Sequence, residues 1–304
     1  MPKKVALITG GASGMGLAVA SALSAHPTVD WTIHIIDLNA TAGKSAVSTL
    51  KNVHFHQTNV THYKSLVSAF EATYAVAQRL DFVYANAGIV ERDNFYHEHP
   101  LDGPPPPAPN QLSVDINFKA VVNTSHLALH YFRKSIARNG GKAEKGNDAV
   151  LIMTASCGGL YPSEFCPMYS GSKAAVVHFN RAISVAYHHA GIRTFATCPG
   201  TINTGLLSQE EWKVFPLEYF TPMETLVDAV VKLLDGGDIE DGKGVKKSKE
   251  DNWGLTVEVN GESFYFREGL DFCDENMGRM MGYTSMAKQL ARIEGTKGEE
   301  TNGE

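Results

Sequence analysis

The chain of 304 residues is predicted to fold as a single α/β domain around a doubly wound parallel sheet of seven strands, with helices on both faces. Two observations support this prediction. Short apolar runs alternate with longer amphipathic stretches through most of the chain, which is typical of repeated strand–helix units. The hydrophobic content of 43% is enough for one large core, and no linker divides the chain.

The strands are predicted from runs of aliphatic and β-branched residues without alternation of apolar and polar positions, a pattern typical of strands buried on both faces. The first strand is "KVALIT", residues 4–9. The other six strands are predicted over residues 32–37, 53–60, 80–88, 149–156, 192–200 and 255–261.

The helices are predicted between these strands, where apolar residues recur at helical spacing. They cover residues 15–26, 40–50, 63–78, 111–136 and 168–190. Because a helix between two strands lets the chain cross back over the sheet, this order predicts parallel pairing.

Two segments interrupt the pattern, a proline-rich surface loop at 97–111 and a charged, glycine-rich loop at 236–252. We predict a domain over residues 1–265 and a C-terminal extension over 266–304. The end of this extension is polar and rich in glycine and glutamate, so we expect it to be disordered.

Composition excludes several classes of function. The formal net charge is −6, and the lysines 246, 247 and 249 lie beside Glu250 and Asp251, which indicates a solvated loop rather than a nucleic-acid site. No apolar run reaches the length of a membrane span, and the N-terminus has no cleavable signal pattern. The four cysteines lack metal-binding spacing. We therefore expect a cytoplasmic protein with reduced thiols and no metal.

A glycine-rich turn, "TGGASGMG", directly follows the first strand and opens the first helix. Gly10, Gly14 and Gly16 form the spacing G-x-x-x-G-x-G, with Ser13 and Met15 among the residues between them. Small residues at this place let main-chain N–H groups and the positive end of the helix approach a pyrophosphate. A tight strand–helix connection would have a similar composition, but the position in a strand–turn–helix unit favours dinucleotide binding.

Asp37 ends the second predicted strand. A carboxylate there accepts hydrogen bonds from the ribose hydroxyls of an adenosine and repels a 2′-phosphate. The alternative is an acidic residue that stabilises a helix N-terminus. The next residue, Leu38, is not basic, so the sequence favours NAD over NADP.

With further motifs in the same order, the chain resembles the short-chain dehydrogenase/reductase family over roughly residues 3–261. These motifs are the glycine turn with Thr9, Asn86-Ala87-Gly88, Asn117, the set Ser156, Tyr169 and Lys173, and Pro199-Gly200 with Thr204. The resemblance implies a Rossmann fold that binds the cofactor. It implies cofactor contacts from Gly10, Ser13, Gly14, Met15, Gly16, Asp37, Leu38, Asn59, Val60, Asn86, Ala87, Gly88, Tyr169, Lys173, Pro199, Gly200, Ile202 and Thr204.

One position departs from the family pattern. The family has Asp-Val after the third strand, where the acid meets the adenine amino group, and this chain has Asn59-Val60. The side-chain oxygen of asparagine can still accept that hydrogen bond.

The resemblance implies catalytic roles for four residues, Asn117, Ser156, Tyr169 and Lys173. Tyr169 would be the general acid/base, Ser156 would bind the substrate oxygen, Lys173 would bind the nicotinamide ribose and Asn117 would hold a water. A free phenol has a pKa near 10, and lowering it by about 3 units requires roughly 4 kcal/mol. A lysine four residues along the same helix, together with the positive nicotinamide ring, can supply this. Each residue alone also fits a purely structural role; their combination favours an active site.

The predicted substrate pocket is mainly apolar. Its residues are Leu160, Tyr161 and Phe165 between the catalytic serine and tyrosine, and Trp212 and Phe215 in a lid over about 201–221. The alternative is that the lid aromatics only pack against each other. An apolar pocket suits a lipid, polyketide or terpenoid alcohol better than a sugar. The stretches "CPGTINTGL" and "GLTVEVNGESFYF" resemble the NAD-dependent 15-hydroxyprostaglandin dehydrogenase branch of the family.

The leading hypothesis is an NAD-dependent dehydrogenase of a hydrophobic secondary alcohol. Its rivals are an NADPH-type ketoreductase, a tailoring enzyme of secondary metabolism, a non-redox cyclase and a nucleotide sensor. The family also implies a homodimer or homotetramer formed through the helices 111–136 and 168–190.

Overall fold

The computed structural model describes residues 1–138, 149–289 and 291–292. It divides into two compact units, Met1–Arg267 and Glu268–Glu304. The division lies next to the predicted boundary at residue 265. The predicted disorder at the C-terminus falls mainly on residues 293–304, which lie outside the described residues.

The first unit is built on a sheet whose strands follow the order β3-β2-β1-β4-β5-β6-β9-β10. Every neighbouring pair in it is parallel except β9 and β10. This confirms the doubly wound α/β prediction. The strands are β1 Lys3–Thr9, β2 Asp30–Asp37, β3 Val53–Gln57, β4 Phe82–Ala85, β5 Ala149–Thr154, β6 Ile192–Pro199, β9 Thr256–Asn260 and β10 Ser263–Phe266.

Within the described residues the sheet has eight strands, one more than predicted. The additional strand, β10, pairs antiparallel with β9, and the register aligns Ser263 with Asn260. Gly261 lies in the turn between them with φ +59°. Glycine adopts this left-handed conformation without a steric penalty, and an Asn-Gly pair is a common hairpin signal. Residues 260–261 therefore carry a local sequence signal for the antiparallel hairpin of β9 and β10.

Helices of the first unit cover both faces of its sheet. The helices of this unit are α1 Gly14–Ser24, α2 Ala40–Thr49, α3 Tyr63–Ala77, α4 Leu112–Val114, α5 Ala120–Arg138, α6 Pro167–His189, α7 Gln209–Trp212 and α8 Met223–Asp235. The second unit contains α9, Glu275–Gly282. A π-helical turn, Asp115–Lys119, joins α4 to α5 without a break, so the helix predicted over 111–136 is present with a π turn within it. Helix α8 was not predicted, although Leu226, Ala229, Val230 and Leu233 give it an apolar stripe at helical spacing.

Two hydrophobic cores hold these layers together. One lies between the sheet and α3, α5 and α6, with Phe70 and Phe132 fully buried. The other lies between the opposite face of the sheet and α1 and α8, with Ile33, Phe195 and Leu226 fully buried. Because both faces of the central strands are covered, their side chains are apolar in both directions, as the sequence indicates.

The two predicted surface loops differ in their structure. Residues 97–111 contain no helix or strand and are exposed throughout. Part of 236–252 instead forms a small hairpin, in which β7 Ile239–Glu240 pairs antiparallel with β8 Lys246–Lys247. Asp241 stabilises its turn by accepting hydrogen bonds from the main-chain N–H groups of Lys243 and Val245. The sequence analysis predicts a charged, glycine-rich loop here and does not include this hairpin.

Candidate active site

The glycine turn between β1 and α1 has the conformation that its sequence requires. Gly10 and Gly14 have φ values of +62° and +50°, which favour glycine. A Cβ atom on Gly16 would lie 2.2 Å from the carbonyl oxygen of Gly10, so no other residue fits there. The N-cap Ser13 makes no side-chain capping hydrogen bond. The glycines thus leave the main chain of the turn uncovered by side chains at the N-terminus of α1, which is the kind of surface that binds a pyrophosphate.

The segment after β6 lies against this turn. A Cβ on Gly14 would lie 3.4 Å from the Cβ of Thr204. Gly200 donates a main-chain hydrogen bond to Val259 at 2.8 Å, which fixes the start of the segment at the end of the sheet. Pro199 and Ile202 are buried. The predicted cofactor residues of this segment therefore share one edge of the sheet with the glycine turn.

Asp37 lies at the end of β2, beside the same turn. Its Oδ2 accepts a hydrogen bond from the N–H of Ala12 at 3.1 Å, and its Oδ1 accepts one from Asn39 at 3.0 Å. The following Leu38 is 64% exposed. The carboxylate therefore lies against the glycine turn, and its contact with an adenosine ribose stays a prediction.

The side-chain oxygen of Asn59 forms hydrogen bonds with another residue of the chain. Its Oδ1 accepts hydrogen bonds from both the N–H and the hydroxyl of Thr61, at 3.0 and 2.8 Å. An amide oxygen has two lone pairs, and both are used here. A contact with an adenine amino group, as predicted for this oxygen, would compete with Thr61. The neighbouring Val60 is buried.

Asn86 connects three strands rather than pointing into open space. Its Nδ2 donates to the carbonyl of Thr9 at 3.2 Å, and its Oδ1 accepts from Thr154 at 3.1 Å. After Ala87, the main chain reaches the exposed Gly88. A Cβ on Gly88 would lie 3.2 Å from both Asn117 Oδ1 and Lys173 Nζ. This motif thus brings the main chain into direct contact with two predicted catalytic residues.

Asn117 lies in the π-helical turn and is fully buried. Its Oδ1 accepts a hydrogen bond from the N–H of Ile89, and its Nδ2 donates to the carbonyl of Ile89, both at 2.9 Å. The same Nδ2 lies 3.2 Å from the hydroxyl of Ser172. The side chain therefore joins the segment after β4 to helix α6, and π-helical turns of this kind are frequent at functional sites. The water-holding role of Asn117 stays a prediction.

Ser156, Tyr169 and Lys173 come together at the carboxyl end of β5. The Ser156 hydroxyl accepts a hydrogen bond from Gly158 N–H at 3.0 Å. The buried Lys173 ammonium donates to the carbonyl of Thr154 at 2.9 Å and lies 5.8 Å from the ring centre of Tyr169. Because α6 begins at Pro167, Tyr169 lies in its first turn and Lys173 one turn further on.

Burial governs the titration of this set when only the groups of the chain act on it. Burial raises the pKa of Tyr169, and a hydrogen bond with Ser156 acts in the opposite direction. Burial also lowers the pKa of Lys173 from 10.5 to about 8. The sequence analysis predicts a phenol pKa lowered by the lysine together with the nicotinamide ring. With the groups of the chain alone, the burial of the phenol outweighs its hydrogen bond with Ser156, and the lowered pKa in the cofactor complex stays a prediction.

Some side chains of the predicted substrate pocket are exposed and others are buried. Phe165 and Phe215 are 70% and 40% exposed, as open pocket walls would be. Trp212 is buried, donates from Nε1 to the carbonyl of Thr204 and packs against Phe215 and Phe220. Leu160 packs against the core of α5 and α6. Trp212 thus fits the alternative in which lid aromatics pack together.

The hydroxyl of Tyr161 belongs to an ionic network with Glu258 and Arg267. Its hydroxyl lies 3.0 Å from Glu258 Oε2 on β9 and accepts a hydrogen bond from Arg267 at 2.9 Å. Glu258 is only 6% exposed, and Arg267 pairs with it. This network anchors the segment between Ser156 and Tyr169 to the edge hairpin, which gives Tyr161 a structural role that the sequence analysis did not predict.

The sequence analysis missed two charged residues, Glu91 and Arg92. Glu91 Oε2 accepts a hydrogen bond from the main-chain N–H of Tyr169 at 2.5 Å. Arg92 forms an ion pair with Glu211 of α7 at 2.5 Å and donates to the carbonyl of Leu206 at 2.8 Å. The sequence does show two adjacent charged residues shortly after the Asn86-Ala87-Gly88 motif. It does not show their partners, because these lie far away along the chain.

Two negative findings concern the described ranges alone. Residues 1–138, 149–289 and 291–292 hold no group of three or more histidine, cysteine or acidic side chains arranged to bind a metal ion. No helix within these ranges has the length and apolar character needed to cross a membrane.

Comparison with known proteins extends these observations. The family described as short chain dehydrogenase matches residues 4–213. A short-chain dehydrogenase/reductase of Penicillium rubens, prx7, is 42% identical over 92% of this chain and 99% of its own length. The 15-hydroxyprostaglandin dehydrogenase (NAD+) of Homo sapiens is 29% identical over 68% of this chain and 71% of its own length.

The fold has close counterparts among solved structures. The 3-ketoacyl-(acyl-carrier-protein) reductase of Brucella melitensis, solved with NADH, superposes with a TM-score of 0.67 at 21% identity, over 85% of this chain and 97% of that one. Together with the sequence matches, this confirms the Rossmann fold and the resemblance to the 15-hydroxyprostaglandin dehydrogenase branch. The chain belongs to the short-chain dehydrogenase/reductase family of oxidoreductases.

Proposed function

We propose that the protein transfers a hydride between NAD and a hydrophobic secondary alcohol or the corresponding ketone, with Tyr169 as the general acid/base. The observation that carries this proposal is the convergence of Ser156, Tyr169 and Lys173 at the edge of the sheet where the glycine turn lies. The same edge of an open α/β sheet is where such folds bind their ligands.

The residues at this edge fit a dinucleotide. The glycine turn would take the pyrophosphate at the N-terminus of α1, where a Cβ on Gly16 would collide with Gly10. Asp37 would hold the adenosine ribose, and Lys173 the nicotinamide ribose. When bound, the nicotinamide supplies the carbon that carries the hydride and, in its oxidised form, a positive charge beside the phenol.

The chain itself handles the proton. Ser156 would bind the substrate oxygen, and the phenol of Tyr169 would donate a proton to it during reduction or accept one during oxidation. Because burial raises the pKa of Tyr169, the phenol is protonated at neutral pH when only the groups of the chain act on it. Alcohol oxidation, which needs the phenolate, should therefore become faster as the pH rises above neutrality.

The proposed substrate class rests on exposed apolar side chains of the predicted pocket. Phe165 and Phe215 offer exposed apolar surface, and Tyr96 joins the proline-rich loop to the segment between Ser156 and Tyr169 through a hydrogen bond from its hydroxyl to the carbonyl of Glu164. Such surroundings suit a bulky apolar alcohol or ketone. A ketoreductase or a tailoring enzyme of secondary metabolism would use the same groups in the reductive direction.

The choice between NAD and NADP can be tested at Asp37. Asp37→Ala removes the charge that repels a 2′-phosphate, so we expect the preference for NAD over NADP to fall by roughly tenfold or more, as a ratio of kcat/KM values. Asp37→Asn keeps an acceptor for Ala12 N–H and removes only the charge, so it should shift the ratio in the same direction. An unchanged ratio in both variants would exclude Asp37 from cofactor discrimination.

The proposed function itself is tested in two steps. NADH and NADPH are titrated by fluorescence, and turnover of a panel of hydrophobic secondary alcohols and ketones is then followed at the nicotinamide absorbance band. Tight NADH binding with turnover of one bulky alcohol is the expected result. Tight binding without turnover of any member would favour the sensor or cyclase alternative. Tighter binding of NADPH would favour the ketoreductase.

We also propose that the protein forms a homodimer or homotetramer through α5 and α6, as the family resemblance implies. Sedimentation velocity on the purified protein tests this, and a monomer at micromolar concentration would contradict it.

A further inference from the structure

Helix α6, which carries Tyr169 and Lys173, has no side-chain cap from its own N-terminal residues. Its N-cap residue is Cys166, which makes no capping hydrogen bond, and Pro167 at the start of the helix has no N–H to donate. The first N–H groups of any α-helix lack partners within the helix. One of them here belongs to Tyr169, so the position of this residue depends on what accepts its N–H.

Glu91 accepts it from a remote part of the chain. Its Oε2 lies 2.5 Å from the Tyr169 nitrogen, across 78 residues of sequence. A carboxylate at this end of a helix is also favoured by the helix dipole. The second oxygen, Oε1, is buried and makes no hydrogen bond within the described part of the chain. The contact with Tyr169 therefore fixes the orientation of this carboxylate.

The backbone on either side of Glu91 is held in place. The N–H and carbonyl of Ile89 bond to both polar atoms of the Asn117 side chain. Arg92 bonds to the carbonyl of Leu206 and to Glu211 in the lid. A carboxylate presented from such a fixed segment can set the position of the helix turn that it caps.

We propose that Glu91 is a positioning residue for Tyr169: it caps the first turn of α6 from outside and so holds the phenol at the place where it meets the substrate oxygen. The inference rests on the proposed function of Tyr169 as the general acid/base. Proton transfer requires the two oxygens to be within hydrogen-bond distance, and a displacement of about 1 Å can cost up to a hundredfold in rate.

Three variants test the proposal. Glu91→Ala removes the cap, Glu91→Gln keeps an oxygen acceptor of the same length, and Asp93→Asn removes an exposed carboxylate from the same segment as a control. For Glu91→Ala we expect kcat to fall roughly tenfold to hundredfold, while the Kd for NADH changes less than about threefold. Glu91→Gln should recover most of this loss, and Asp93→Asn should match the wild type.

Hydrogen exchange of the Tyr169 amide, measured by fragment mass spectrometry on the cofactor-free protein, supplies a readout that is independent of turnover. A lost cap worth about 1 kcal/mol should accelerate this exchange by about fivefold in Glu91→Ala. Unchanged exchange, or accelerated exchange with unchanged kcat, would overturn the proposal. If Glu91→Ala does not fold, the kcat of Glu91→Gln tests the proposal instead. This variant keeps the oxygen acceptor, so a loss of kcat as large as in Tyr169→Phe would contradict the proposal that accepting the Tyr169 N–H positions the phenol.

The two hypotheses fail in different ways. If the wild-type protein binds NADH but turns over no alcohol or ketone of the panel, the proposed function fails. If the wild type is active and Glu91→Ala is as active with the same amide exchange, only the role of Glu91 fails.

Discussion

Tyr169→Phe should reduce kcat by about 10²–10⁴-fold, the contribution that a positioned general acid/base makes. The substitution removes one hydroxyl and keeps the ring that Lys173 approaches at 5.8 Å. The glycine turn and Asp37 are unaffected, so the Kd for NADH should stay within about threefold of the wild-type value. Stopped-flow absorbance at the nicotinamide band and fluorescence titration measure the two quantities.

A matched control separates chemistry from helix stability. Tyr187 lies on the same helix, and its hydroxyl donates to the carbonyl of Ser125 at 2.9 Å in the core. Tyr187→Phe should cost about 1 kcal/mol of unfolding free energy, because one buried hydrogen bond is lost, and leave kcat nearly unchanged. Turnover of Tyr169→Phe within threefold of the wild type would refute the assignment of the general acid/base.

The pH dependence of the wild-type protein provides an additional check on Tyr169. Since burial raises the pKa of its phenol, the protonated form persists above neutral pH. The rate of alcohol oxidation should therefore increase with pH, whereas ketone reduction should stay constant until the phenol ionises. This alkaline dependence of oxidation should be absent in Tyr169→Phe.

The features that could be predicted from the sequence are those determined by residues close together along the chain. The strand runs and the glycine turn depend on residues next to each other, and Tyr169 and Lys173 are four residues apart on one helix, so their places could be predicted from the sequence. The hairpin at Gly261 and the apolar stripe of α8 carried comparable local signals, and both were overlooked.

The unpredictable part depends on contacts between distant residues. Glu91 meets Tyr169 across 78 residues, and Arg92 meets Glu211 across 119. No local pattern specifies such pairs, because they exist only once the sheet has brought its strand ends together. The direction of the Tyr169 pKa shift was also beyond the sequence, since it depends on how deeply the phenol is buried.

The second large effect is expected at Lys173. The substitution Lys173→Met should strongly reduce turnover and raise the unfolding free energy of the cofactor-free protein. Turnover should fall by at least about 10²-fold, because the phenol loses its cationic neighbour. NADH binding should weaken by roughly tenfold, because the ribose loses a hydrogen-bond donor worth about 1.5 kcal/mol. Together with Tyr169→Phe, which should leave NADH binding intact, this separates the two roles.

The gain in stability follows from the burial of the ammonium. A pKa lowered from 10.5 to about 8 corresponds to roughly 3 kcal/mol of unfavourable free energy at neutral pH. Methionine has a similar length and no charge to bury, but it leaves the carbonyl of Thr154 without the donor at 2.9 Å, at a cost of about 1 kcal/mol. The unfolding free energy at pH 7 should therefore rise by about 1–2 kcal/mol, as measured by urea denaturation.

The pH dependence of this difference is the decisive observation. Between about pH 8 and 10.5 the unfolded chain holds a proton on Lys173 that the folded chain has released, so the wild-type protein gains stability as the pH rises. Below pH 8 the penalty is present in full, and above 10.5 it is absent. The advantage of Lys173→Met should thus be greatest near neutrality and vanish by about pH 10. Tyrosines remote from Lys173 that titrate in this range are common to both proteins, so they cancel in the comparison. A methionine variant that is less stable than the wild type at pH 7 would show that the buried ammonium stabilises the fold, and that its place beside Tyr169 carries no cost in stability.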